Sequence, residues 1–258
     1  MKKLLSIAVC ASAVAAFADP TVINVGSVGV TAIQSDLTNT IVAVSYKELG
    51  AGDGNITISN IVKTANLTVG DLLHVFKDGA TYETYTLTAG SGNVLYWDKT
   101  ANYVLDGYGN LSAGQSVDAS IATLTPGLGL WLIRKGWDGA APFTFYIYGK
   151  PVTSAVSTSL AAGDAALIGN PTQSALVPTI AGAQEGDLIQ IPDSANVAIR
   201  MTKYKYMKDK TDNNVLKWTT KINGSYVRSL PAIGAGKGFS YVAGSAEGTR
   251  EISWSVGN

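Results

Sequence analysis

Cysteine and histidine are almost missing from this chain. Cys10 is the one cysteine and His74 the one histidine among 258 residues. Cys10 falls in a segment that reads as a cleaved leader, so the mature chain is expected to form no internal disulfide and no thiolate metal site. A lone histidine supplies neither a zinc site nor, without a placed acid and nucleophile, a Ser-His-Asp triad. An excess of charge is missing too. Basic and acidic residues number 19 each, and loss of Lys2 and Lys3 with the leader leaves 17 against 19. With no strong field to steer a polyanion from a distance, nucleic acid is not an expected partner. No apolar run reaches the roughly 20 residues that cross a bilayer as a helix. No segment keeps a 3.6-residue apolar stripe over three turns. Disorder does not fit either, because 46% of the residues are hydrophobic.

What is present begins with that leader. Lys2 and Lys3 are followed by an apolar or small run from Leu4 to Val14, and Ala16-Phe17-Ala18 has the small-x-small form of a cleavage site. Residues 1–18 are therefore expected to be a signal peptide. The protein is expected to be exported, to the cell surface, the exterior or a periplasm.

Beyond the leader the chain repeats itself. Gly70-Asp71-Leu72-Leu73-His74-Val75 recurs as Gly186-Asp187-Leu188-Ile189-Gln190-Ile191, and Gly127-Leu128-Gly129-Leu130 as Gly236-Lys237-Gly238-Phe239. Between these blocks, Tyr82 to Leu87 matches Met201 to Tyr206, and Trp97 matches Trp218. Blocks in one order at a long period mark an internal duplication. The segments are short, rich in Val, Ile, Thr, Tyr and Trp, and bounded by Asp-Gly and Asn-Gly turns such as Asn223-Gly224. The expected fold is all-β: two tandem β-sandwich or flattened-barrel repeats with little helix, over residues 19–150 and 151–258, with one continuous sheet system shared by both halves as the alternative. The first repeat carries an extra N-terminal strand. Ser59 is read as capping a short helical turn through Ile61 and Val62, with a counterpart inside Ala175 to Ala183.

Catalytic patterns are weak. Asp71 and Asp187 each follow a glycine at a strand mouth, where an aspartate commonly accepts from nearby backbone amides. The paired Gly-x-Gly blocks lack the third glycine and the following helix of a nucleotide loop, so no cofactor is expected. Asp98 to Asn102 and Asp209 to Asn214 lack the spaced carboxylates of a calcium loop, so no metal is expected. No catalytic residue is proposed, and an enzyme is not expected.

Contact residues are more readily named. Arg200, Lys203, Lys205, Lys208, Lys210, Lys217, Lys221 and Arg228 form a basic stretch interleaved with Tyr204, Tyr206 and Trp218. Lys203, Tyr204, Lys205 and Tyr206 are candidate partner contacts, either as a polyanion surface or as a solvated strand face. Trp137, on a Gly-Trp-Asp-Gly tip, is a candidate sugar-stacking residue, and Trp131 and Tyr108 are further candidates. Val22, Ile23, Val25 and Val28 precede the repeated unit and form a candidate donor strand for assembly.

The short leader, Gly-Asp-Leu strand entries, tyrosine strands, tryptophan strands and Gly-x-Gly-aromatic strands together resemble a loosely defined set of exported bacterial proteins built from duplicated β modules. That resemblance implies an architecture and no activity. The expected function is an exported, non-enzymatic structural or surface-interaction protein, such as a filament, coat or adhesive-layer subunit. The alternative is a carbohydrate-binding module. The expected partners are further copies of the chain or surface glycans.

Overall fold

The computed structural model describes residues 21–25, 28–35, 39–47, 54, 56–58, 61–63, 69–76, 82–89, 95–99, 104–105, 111–112, 117–118, 123–133, 143–192 and 201–255. The protein is all-β with almost no helix, and every strand pairing among the described residues is antiparallel. The expected leader, Tyr108 and Trp137 lie outside these residues.

One sheet runs β1 (Thr21–Val25), β2 (Val28–Ser35), β15 (Phe143–Pro151), β4 (Tyr46–Lys47), with β6 (Ile61–Lys63) also on β15. A six-stranded sheet runs β12 (Val117–Asp118), β9 (Leu95–Lys99), β8 (Tyr82–Ala89), β7 (Leu72–Phe76), β14 (Gly129–Ile133), β3 (Asn39–Ala43). Two strand pairs complete this part: β5 (Ile56–Thr57) with β13 (Thr123–Leu124), and β10 (Val104–Leu105) with β11 (Leu111–Ser112). Further along, β16 (Val156–Leu160), β24 (Arg250–Trp254) and β18 (Thr179–Ala181) form a three-stranded sheet. A second six-stranded sheet runs β17 (Ala165–Gly169), β23 (Gly238–Val242), β19 (Leu188–Pro192), β20 (Met201–Asp209), β21 (Val215–Ile222), β22 (Ser225–Val227).

The two six-stranded sheets have the same strand order, and their registers agree residue by residue. Leu73 faces Tyr85 and Leu87 faces Trp97; Ile189 faces Tyr204 and Tyr206 faces Trp218. Gly70 and Gly186 enter their strands at φ 99° and 102°, a left-handed conformation that glycine adopts without strain. Each glycine then bonds the same place on the neighbouring strand, Gly70 N to Leu87 O and Gly186 N to Tyr206 O.

Two cores follow from the alternation of the strands. The first gathers Val42, Leu73, Tyr85, Leu87, Trp97, Leu130 and Leu132 with Ile147 of β15. The second gathers Ile168, Ile189, Tyr204, Phe239 and Tyr241 with Ile252 and Trp254 of β24. Each core thus draws side chains from two sheets.

The expected short turns at Ile61 and at Ala175 to Ala183 are strands instead. β6 and β18 pair with β15 and β24, where β-branched Ile61, Val62, Thr179 and Ile180 suit a pleated surface. Pro178 closes off a helix there in any case.

The halves meet through like elements. Ala43 N donates to Gly236 O at 2.9 Å, and Gly169 N donates to Gly127 O at 2.8 Å. Val42 bridges Lys237, and Ile168 bridges Leu128. Ala43 stands opposite Gly129 in its sheet as Gly169 stands opposite Gly238. Exchanging the halves therefore maps one set of contacts onto the other, as at an isologous interface. Ala43 and Gly169 meet each other at its centre. A Cβ on Gly169 would lie 2.5 Å from the Ala43 Cα and 2.8 Å from the Leu128 carbonyl oxygen, so only glycine fits.

Candidate functional site

Strand β20 separates the residues that the sequence interleaves. Tyr204 is buried in the second core, and burial raises its hydroxyl pKa. Tyr206 lies on the same side of the strand, half-buried, its ring 5.0 Å from Trp218. Trp218 in turn meets Tyr241 edge-on at 5.9 Å. Lys203, Lys205 and Met207 stand exposed on the opposite side. The two tyrosines thus belong to an aromatic ladder facing the core, and the two lysines to the outer face.

That outer face continues across β21 and β22. Lys205 faces Thr219, and Lys221 follows Thr219 by two residues on the same side. Lys221 faces Tyr226 across the hairpin closed by Asn223 and Gly224, whose φ values of 49° and 84° suit the twist of a two-residue turn. Tyr226 is 58% exposed, and its ring centre lies 5.9 Å from Lys221 Nζ and 5.8 Å from Arg228 Cζ. These are cation–π distances. Tyr226 is absent from the sequence-derived candidates, although the Asn-Gly turn beside the basic stretch was the signal that could have found it.

The acids of this stretch are already engaged. Asp209 Oδ2 lies 2.7 Å from Arg228 Nε and 3.6 Å from Lys217 Nζ. Asp209 Oδ1 accepts from the Thr211 hydroxyl at 2.7 Å and the Thr211 amide at 3.0 Å. The Thr211 hydroxyl, helped by that amide and Arg228, outweighs burial and holds the Asp209 pKa at about 2. Lys217 also pairs with Asp212, and Lys208 with Glu185 at 3.3 Å. Lys203, Lys205 and Lys221 make no ion pair among the described residues.

The matching face of the first sheet differs. Trp131, His74 and Thr84 lie in one row across β14, β7 and β8. Their register equivalents are Ser240, Gln190 and Lys203. His74 Nδ1 and Thr84 Oγ1 share a hydrogen bond of 2.8 Å, and the Trp131 ring meets the imidazole edge-on at 5.8 Å. Burial lowers the His74 pKa. Trp131 is half-buried.

Another polar cluster is internal. Asp187 and Arg250 are both fully buried, and Arg250 Nη2 and Nε donate to the two Asp187 oxygens at 3.0 and 3.1 Å. Asp187 also accepts from the amides of Gln184 and Gly244 and from the Tyr241 hydroxyl, at 2.9, 2.7 and 2.7 Å. Arg250 Nη1 donates to the carbonyls of Ala246 and Gly248. Burial pushes the Asp187 carboxyl up, but the bond from Arg250 and then the amides and Tyr241 more than offset it, so its pKa lies below the ordinary value. A carboxylate fully enclosed by fixed donors holds the chain in place. The strand-mouth aspartate was legible as a backbone acceptor. Arg250, 63 residues away in sequence, was not.

The candidate donor strand is a hairpin arm in this structure. Val22, Ile23 and Val25 lie on β1, and Val28 opens β2, with which β1 pairs from Thr21–Ala32 to Val25–Val28. Among the described residues no group of three or more potential ligands converges on a metal position, and no helix is long and apolar enough to cross a membrane. No family model matches the chain, and no curated protein or solved structure matches it.

Proposed function

We propose that this is an exported, non-enzymatic structural or surface-interaction protein, built from two copies of one β-sandwich module, whose sheet edges join copies into a filament, coat or adhesive layer. The observation that carries the reading is where exposed apolar surface gathers. Six large apolar side chains stand exposed among the described residues, and four of them, Met207, Val215, Ile222 and Tyr226, lie on β20–β22. β22 ends its sheet's strand order, and Ile222 beside it is 43% exposed. An edge strand next to apolar side chains is a template for pairing with another chain. β1 ends the other sheet of the first half and gives a second edge. The matched registers and the exchange-symmetric junction support the duplicated module.

The test is light scattering and electron microscopy of residues 19–258 over a range of concentrations. Concentration-dependent association, lost on deleting residues 19–28 or in Ile222→Lys, is expected. A strict monomer at high concentration, indifferent to both changes, contradicts it.

A further inference from the structure

We propose that the outer face of β20–β22 binds an acidic polysaccharide, with Lys203, Lys205 and Lys221 meeting its acid groups and Tyr226 stacking on a sugar ring. Tyr226 sits on the edge strand β22 that the assembly reading also uses, whereas Lys203 and Lys205 lie on β20 inside the sheet order, so the two lysines test this proposal apart from assembly.

Charge complementarity is the first support. Lys203 and Lys205 project from one side of one strand, about 7 Å apart, and Lys221 joins them from the neighbouring strand. Like charges this close repel, and the local carboxylates do not relieve them, since Asp209 and Asp212 are held by Arg228 and Lys217. Lysine on an edge strand has a simple explanation, because it blocks unwanted pairing. β20 is not an edge: β19 and β21 flank it. Lys205 pairs on both sides, with Leu188 and Thr219, and so guards no open backbone.

The first sheet supplies the control. The positions equivalent to Lys203 and Lys205 are Thr84 and Thr86, on the same strand of the same sheet order. The scaffold therefore does not require lysine there. The second half places cations at these two positions where the first has threonine, and it sets an exposed aromatic ring on the same face.

The form of the face favours a sugar polymer. Tyr226 is a single exposed ring flanked by Lys221 and Arg228. Platforms for single-stranded nucleic acid stack successive bases on several rings in a charged groove. Here Tyr204, Tyr206 and Trp218 are turned inward and offer no such row of rings. A strand face with one stacking ring and spaced cations fits a chain of acidic sugars, whether the acid is a carboxylate or a sulfate.

The experiment is isothermal titration of residues 19–258 with polygalacturonate and dextran sulfate. Neutral dextran, oligo(dT) and phosphatidylserine vesicles serve as comparisons. Binding to either acidic polysaccharide, weakening with added salt, is expected. Lys203→Thr/Lys205→Thr, which installs the residues of the first half, is expected to weaken it roughly tenfold, with an unchanged melting temperature. Tyr226→Ser is expected to weaken it with little change in salt dependence. The proposal is overturned if neither acidic polysaccharide binds, if the double variant binds as well as the parent, or if oligo(dT) or vesicles bind more tightly than both polysaccharides.

Discussion

The two six-stranded sheets share a strand order and a register, yet they spend the same positions differently. In the first, the outer row of Trp131, His74 and Thr84 is knitted together by a ring contact and a hydrogen bond. In the second, Ser240, Gln190 and Lys203 occupy that row, and Lys203 reaches solvent. On the inner side, Leu132 packs in the first core where Tyr241 carries a hydroxyl to Asp187 in the second. Features common to both sheets, the glycine-led strand entries and the Trp97 and Trp218 positions, are what the fold needs. Features found in one sheet are where further properties lie.

The largest way to break this comparison is at Arg250. Arg250→Met leaves the Asp187 carboxylate buried without its cation, and removing one partner of a buried pair costs about 3–5 kcal/mol. Urea denaturation should show that loss in the transition reported by Trp218 and Trp254. A loss under about 1 kcal/mol would mean that the pair is not closed in solution. Tyr241→Phe is milder, because four donors remain on Asp187. It should cost about 1.5 kcal/mol, the range of a hydrogen bond to a charged group, and should shift the transition less than Arg250→Met does.

His74 gives the smallest and most selective difference. Burial holds its folded pKa below the ordinary 6.5, so between those values the unfolded chain binds the proton that the folded chain refuses. The folded state is accordingly undisturbed above pH 6.5 and loses stability as the pH falls below it. His74→Gln, which copies Gln190 of the second sheet, should flatten that part of the stability–pH curve and change little at pH 8. An unaltered curve would place the imidazole in solvent.

The sequence shows the all-β character, because short β-branched and aromatic segments between glycine turns have no other economical reading. The shared register could also be anticipated: Trp97 and Trp218, matched by position, do face Leu87 and Tyr206. The pairing of β6 and β18 was hidden, since three-residue strands carry too little pattern to tell from a turn. Arg250 was hidden by distance along the chain. The split of Lys203 and Lys205 from Tyr204 and Tyr206 follows from period-2 alternation, yet a list of neighbours in sequence blurs it. The sequence leaves a shared sheet system only as an alternative, because Ala43 and Gly169 meet at the junction through backbone shape, which composition does not encode.

That junction offers the most direct test of two like sheets joined as one unit. The measurement is equilibrium unfolding of residues 19–258 and of Gly169→Val, each followed by tryptophan fluorescence and far-ultraviolet circular dichroism together. The parent should unfold in one coincident transition. In the variant the new side chain forces β17 away from Ala43, at a cost of about 1–3 kcal/mol for an overpacked site, and the two halves should melt in separate steps. A variant that unfolds as the parent does, in one step at the same midpoint, would contradict the joined arrangement.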